Sequence, residues 1–201
     1  AINMPVVNLN SEMTVEGGAF EIDGNGTLMA TRSSILNSNR NPGMTQAEAE
    51  EIFETNLGVT HFVWLDGVPG LEITDMHIDG FARFGDENTI VTMNNADLLY
   101  WEVPQADINT LYAAEDANGT PYDFVYLPLT QNNVVTTYGY NLGYKGSYVN
   151  YYVANNKVLV PKYNDPNDNV AKSILQGLYP GKTVVGIDVR NLYENGGMVH
   201  C

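Results

Sequence analysis

Three stretches of this 201-residue chain repeat one pattern, and an internal repeat constrains a fold more tightly than composition does. AFEIDGNGTLMAT (19–31), GFARFGDENTIVTM (80–93) and NYYVANNKVLVP (150–161) each set alternating apolar and polar residues on both sides of a turn run. Asp23-Gly24-Asn25-Gly26, Gly85-Asp86-Glu87-Asn88 and Asn155-Asn156 tolerate the positive φ of hairpin loops, so the three stretches read as β-hairpins. A helical pattern follows each. Thr45 with Glu48 three residues on forms a capping box ahead of Ala49, Ile52, Phe53 and Leu57, and Gly58 closes that helix. The middle helix is predicted over Ala106 to Ala117. Asp165 as N-cap and Pro166 at the first helical position open the third, whose apolar face is Val170, Ala171, Ile174, Leu175 and Leu178. Short β-branched and aromatic runs end the units: THFVWL (60–65), YDFVYL (122–127) and KTVVGIDV (182–189).

The order strand, strand, helix, strand thus occurs three times, over approximately 15–67, 77–129 and 148–190. Gly196-Gly197 before MVHC matches Gly17-Gly18 before AFEI, which reads as the first strand of a fourth unit at 196–201. No linker separates the units, so 1–201 reads as part of a single domain. Units of this kind set around an axis bring equivalent strand ends together at the centre, as propeller blades do.

Charge narrows what such a centre can bind. Nine Lys and Arg against 24 Asp and Glu give a net charge of −15, which repels phosphate backbones and anionic lipid and favours a cationic ligand. Nucleic-acid and membrane partners are therefore not expected. With 44% hydrophobic and only 16% charged residues, the chain has the material for an ordered core. It contains no apolar run of membrane-spanning length, and its opening AINMPVVNLN lacks the basic region and long apolar stretch of a signal peptide. Low lysine and cysteine content fits a secreted and a cytoplasmic protein alike, so the compartment stays open. The single cysteine, Cys201, excludes an internal disulfide, and with His61, His77 and His200 scattered there is no zinc-ligand spacing. The DGNGT run at 23–27 fails as a calcium loop, with Leu28 where the turn glycine belongs and Ser34 where the closing Glu belongs.

The equivalent strand ends carry Glu16 in the first unit, Asp75, His77 and Asp79 in the second, Asn150 in the third and Cys201 in the fourth. On an extended strand His77 and Asp79 share a face, whereas His200 points away from Cys201 and reads as structural. A thiol beside an imidazole supplies a nucleophile with a proton-transfer partner, and carboxylates hold a planar cation through paired, charge-assisted hydrogen bonds. That combination suits guanidinium chemistry. Arg32, Arg40 and Arg83 read as internal ion-pair partners, since the ligand itself is expected to be cationic.

VEGGAFEIDGNGTLMATRSSILNSNRNPG, ITDMHIDGFARF, GSYVNYYVANNKVLVP and the terminal NGGMVHC resemble, in order and over nearly the whole chain, the signatures of the agmatine deiminase and porphyromonas-type peptidylarginine deiminase family. The resemblance implies an α+β pentein fold, an α/β-propeller of five ββαβ blades of which about three lie in this chain. It implies Cys201 as nucleophile, His77 as general acid and base, Asp79 on the guanidinium nitrogens, and Glu16 orienting His77 or assisting at the same group. Asn150 corresponds to an active-site asparagine of the peptidylarginine branch, and Asp75 joins Asp79 and Glu16 as a substrate-binding carboxylate. No metal and no cofactor is implied. The reaction implied is hydrolysis of a guanidino group through a Cys-thiouronium intermediate with release of ammonia, on peptidyl-arginine or on agmatine. Met76-His77-Ile78-Asp79-Gly80 stands where agmatine deiminases carry a Gly-His-Val-Asp-Asn-like segment, which tilts the expectation to peptidyl-arginine. A further aspartate, from a Trp-x-Arg-Asp-like motif, falls ahead of Ala1, so a longer parent is expected. The partners are then a cationic guanidino compound or arginine-containing peptide, with a missing N-terminal half or a homo-oligomer completing the protein. The alternative is a non-catalytic pentein-fold binding module, or a fragment active only with that N-terminal part.

Overall fold

Three three-stranded sheets succeed one another along the chain in the computed structural model, which describes residues 13–201. The opening segment read above for targeting signals, 1–12, lies outside the described residues. The first sheet holds β1 (Phe20–Ile22), β2 (Thr27–Thr31) and β3 (His61–Leu65), and the second β4 (Ala82–Asp86), β5 (Thr89–Thr92) and β6 (Asp123–Tyr126). The third holds β7 (Tyr152–Val153), β8 (Lys157–Lys162) and β9 (Thr183–Asp188). In each, an antiparallel hairpin offers its second strand to a parallel third strand. A parallel neighbour requires a crossover, normally helical. After a short α1 (Arg32–Ile35), α2 (Gln46–Leu57) provides the first crossover, α3 (Asn95–Tyr100) with α4 (Gln105–Tyr112) the second, and α5 (Asn167–Leu178) the third. A short α6 (Arg190–Tyr193) follows β9. Every unit therefore has the ββαβ order read from the sequence.

The capping box forms: Glu48 N donates to Thr45 Oγ1 at 3.3 Å, Thr45 N donates to Glu48 Oε2 at 2.8 Å, and Gly58 ends α2 at φ 70°. Two helices depart from expectation. The middle one is divided, with Asn94 capping α3 through Asp97 N at 3.0 Å. It also stops at Tyr112 instead of Ala117, because Asp116 Oδ1 draws the amides of Asn118 and Thr120, each at 2.8 Å, into a turn. α5 starts one residue late, at Asn167, with Pro166 in the cap position. Asp165 still accepts from Asn167 N at 2.9 Å and also from Gln131 N at 3.0 Å, tying the helix start to the preceding loop.

The main core draws on all three units, through Met29 and Leu65 of the first, Phe81, Ile90 and Leu98 of the second, and Tyr148, Tyr151, Val160 and Leu175 of the third. A second cluster, with Leu28, Ile35, Phe53 and Trp64, lies within the first unit. Among the tyrosines between residues 138 and 152, Tyr148 and Tyr151 are buried, and Tyr138 and Tyr140 exposed. No helix among the described residues is long and apolar enough to cross a membrane.

The entry segments of the units are stitched to one another. Asp79 N donates to Gly18 O at 3.2 Å, Ser147 Oγ to Gly80 O at 2.8 Å, and His200 N to Asn150 Oδ1 at 2.8 Å. Arg83 joins all three units: its Nε donates to Glu21 Oε1 at 2.7 Å, its Nη1 to Tyr151 O, and its guanidinium carbon lies 5.1 Å from the centre of the Tyr151 ring. Both charged side chains are buried, and burial pushes the Glu21 carboxyl up even with Arg83 beside it. Removing one partner strands the other, so Arg83→Met is expected to cost about 3–5 kcal/mol in denaturant unfolding, most of it recovered in the Glu21→Gln/Arg83→Met double variant. A loss below about 1 kcal/mol in the single variant contradicts this role.

Candidate active site

Residues 74–80 run as a tight turn into a single 3₁₀ turn, Ile78–Gly80, and not as the extended strand expected. Asp75 and Met76 hold left-handed φ values of 58° and 70°, a conformation that side-chain-bearing residues adopt only when surroundings impose it. The first unit imposes it here. Ser33 Oγ donates to Asp75 O at 2.6 Å and Thr31 Oγ1 to Met76 O at 2.8 Å, so the end of β2 and the start of α1 fix the turn that presents His77. The segment 197–201 is likewise irregular, not a strand, and its amides at His200 and Cys201 donate to Asn150 Oδ1 at 2.8 and 3.3 Å.

These two irregular segments bring the expected residues together. Asp79 is 1% exposed; its Oδ2 lies 2.9 Å from His200 Nδ1 and accepts from Cys201 Sγ at 3.6 Å, while its Oδ1 is buried with no partner among the described residues. Asn150, fully buried, donates from Nδ2 to Asp79 O at 3.2 Å and to Cys201 Sγ at 3.1 Å. His77 Nε2 lies 3.2 Å from Glu16 Oε2. His77, Asp79 and Cys201 all line one cavity of about 330 Å³, beside Trp101, Met198 and Tyr193. Burial, followed by the field of Asp79, pushes the Cys201 thiol up to about 11.

Two assignments change. His200, expected on the opposite face from Cys201, turns to Asp79 because the irregular backbone does not alternate faces as a strand does. Asp75, expected to bind substrate, is fully engaged elsewhere: Oδ2 accepts from Arg40 Nη1 at 2.5 Å and Asn39 Nδ2 at 3.2 Å, and Oδ1 from Gly70 N at 2.6 Å. Burial opposes the Asp75 anion, but these donors outweigh it and hold the carboxyl below its usual range. Arg32 and Arg83 form the internal ion pairs expected of them.

Arg40 forms its expected pairs too, and also reaches the site. Its Nε donates to Glu16 Oε2 at 2.6 Å, on the same oxygen that faces His77. Burial works against the Glu16 anion, yet the hydrogen bonds of Arg40 and His77 keep its carboxyl below the ordinary value of 4.5. In Arg40→Gln the Glu16 carboxyl rises, so its ionised contact with His77 is lost at a higher pH as pH falls. The acid limb of the pH–activity profile is expected to move up in pH, with Arg40→Lys falling between the two; identical limbs contradict the link.

Gly18 is the close-packed neighbour that the sequence reading passed over. A Cβ there would stand 2.6 Å from Asp79 Oδ2 and 2.9 Å from His77 Nδ1, so only glycine leaves room for both side chains against the backbone of the first unit. Gly18→Ala is expected to lower kcat/KM by about 100-fold, the scale of a displacement of roughly 1 Å in reacting groups, with far-ultraviolet circular dichroism unchanged. Activity within about threefold of the unsubstituted protein contradicts it. The Gly17-Gly18 doublet was the available signal.

A thiol, an imidazole and a buried carboxylate line one cavity, and a second imidazole, that of His200, rests on the carboxylate, in a repeat protein of three ββαβ units. A family model described as Porphyromonas-type peptidyl-arginine deiminase matches residues 2–201, and the chain belongs to that family. A Yersinia pestis protein named, provisionally, an agmatine deiminase is 35% identical over 96% of this chain and 57% of its own length. A Porphyromonas gingivalis crystal structure, described provisionally as an arginine deiminase, is 35% identical with a TM-score of 0.79 over 92% of this chain and 55% of that one. The agmatine deiminase of Enterococcus faecalis is 26% identical with a TM-score of 0.82 over 95% and 56%. An amidinotransferase from Microseira wollei, 14% identical with a TM-score of 0.53 over 95% of this chain and 47% of that one, shares the fold alone. The chain spans a little over half the length of the curated relatives it matches.

Proposed function

We propose that this chain carries the thiol, imidazole and principal carboxylate of a guanidino-group deiminase, and that the longer protein hydrolyses an arginine-type guanidinium to a ureido group and ammonia. The observation that carries the reading is Asp79: a buried carboxylate in the cavity wall with one oxygen on Cys201 and His200 and the other without a partner among the described residues. An unpaired oxygen of this kind is costly unless a ligand donor completes it, and a guanidinium N–H is the donor of matching charge and plane. In the free protein the thiol is protonated, because burial and Asp79 oppose the thiolate. A guanidinium on Asp79 reverses that field, so binding the substrate and forming the nucleophile become one event.

The steps then balance. His77 takes the thiol proton as the Cys201 sulfur bonds to the guanidinium carbon, and passes it to the nitrogen that leaves the tetrahedral adduct as ammonia, so that a cationic thiouronium remains. His77, held by Glu16, takes a proton from water as the water oxygen bonds to the same carbon. The C–S bond breaks, His77 returns its proton to the sulfur, and the ureido product leaves as the remaining water proton passes to the released ammonia. Asn150, bonded to the sulfur and to the backbone of Cys201, holds the nucleophile over Asp79. We place the described units in a partial ring of blades, with the N-terminal part of the longer protein supplying a second guanidinium-binding aspartate. The test incubates the longer protein with agmatine, with benzoyl-arginine amide and with L-arginine, and measures ureido product and ammonia. Equal amounts of both are expected from at least one substrate; binding without either product leaves a non-catalytic module.

A further inference from the structure

Besides His77 and Asp79, three charged side chains line the cavity: Glu72, Glu102 and Lys145. Glu72 is occupied by its own turn, accepting from Met76 N at 2.7 Å, Thr74 N at 2.9 Å and the Thr74 hydroxyl. The other two form no ion pair among the described residues, with each other or with anything else. Lys145 is nevertheless held in place. Its ammonium lies 5.2 Å from the centre of the Tyr100 ring, and its carbonyl accepts from Tyr193 Oη at 2.8 Å. The next residue, Gly146, donates to Thr130 Oγ1 at 2.8 Å and packs where a Cβ would meet the Tyr163 ring at 2.5 Å. Glu102 sits at a left-handed φ of 63° directly after Trp101, another cavity residue.

A cavity that takes a guanidinium at Asp79 gains nothing from a second cation in its wall if the substrate is cationic at both ends. An unpaired ammonium there repels such a molecule. It attracts one that carries an anion at its other end, and a free carboxylate in the same wall attracts an ammonium beside that anion. We infer that Lys145 and Glu102 form a subsite for an α-amino-acid head group, Lys145 taking the α-carboxylate and Glu102 the α-ammonium, so that the substrate is free L-arginine or a close amino-acid analogue and not agmatine. This rests on the deiminase reading of the same cavity and adds its substrate class.

The longer protein with Cys201→Ala separates binding from turnover. Calorimetric titration is expected to give L-arginine at least tenfold tighter binding than agmatine or argininamide, which lack the carboxylate, with Nα-acetyl-arginine, which lacks the ammonium, in between; tenfold is about 1.4 kcal/mol, one charge-assisted contact. Lys145→Met is expected to weaken L-arginine at least tenfold more than agmatine, and Glu102→Gln to narrow the gap between L-arginine and Nα-acetyl-arginine. Agmatine binding as tightly as L-arginine, or Lys145→Met weakening both alike, overturns the subsite. Because the titration needs no catalysis, a protein that prefers L-arginine yet makes no ureido product refutes the deiminase reading and leaves the subsite standing.

Discussion

Cys201→Ala in the longer protein is expected to remove ureido formation, by on the order of 10⁴-fold or more, since the covalent path has no other thiol among the 201 residues. Cys201→Ser is expected to fare little better. A hydroxyl in the position of the sulfur meets the same burial and the same Asp79 carboxylate that already push the thiol up to about 11, from a much higher starting value. Both variants should keep substrate affinity within a few-fold, because in the proposed mechanism Asp79, and not the sulfur, holds the guanidinium. The measurement is product release under saturating substrate beside calorimetric binding. Turnover that survives either substitution removes the thiol from the reaction.

Asp79→Asn is the second large effect, and it moves two observables in opposite directions. Removing one member of a buried charge pair costs about 3–5 kcal/mol, so kcat/KM is expected to fall by roughly 10²- to 10⁴-fold. Yet the Asp79 field is, after burial, the next largest cause that holds the thiol above its ordinary value of 9.0. Without it the thiol becomes more acidic. Uncharged iodoacetamide should therefore alkylate Cys201 faster in Asp79→Asn at mildly alkaline pH, while deimination collapses. A merely structural Asp79 would not produce that crossing. Slower alkylation, or retained turnover, contradicts the account.

The regular part of the fold was legible because its causes are local. Hairpin turns, the Thr45–Glu48 box and the β-branched closing strands each announce themselves within a few residues, and the repeat of the pattern places their ends together. The proximity of the candidate residues was legible for the same reason: Glu16, His77, Asp79, Asn150 and Cys201 hold equivalent places in successive units. Its backbone was not. The left-handed turn at Asp75-Met76 exists because Ser33 and Thr31, more than forty positions earlier, hold its carbonyls, and no window around residue 75 contains that information. Once the segment is a turn, Asp75 faces Arg40 instead of the cavity. The same holds at the other end, where Asn150 draws the amides of His200 and Cys201 to one oxygen and sends His200 to Asp79. Alternation rules apply to strands, and the two segments that carry the chemistry are the ones that are not strands.

The most direct measurement is acid quenching of the longer protein during turnover, followed by mass spectrometry of the peptide that holds Cys201. The account predicts a substrate-derived thiouronium adduct on Cys201 that accumulates before product and is absent in Asp79→Asn. Product formed at full rate with no adduct on that sulfur under any quench time, or an adduct on a different residue, contradicts it.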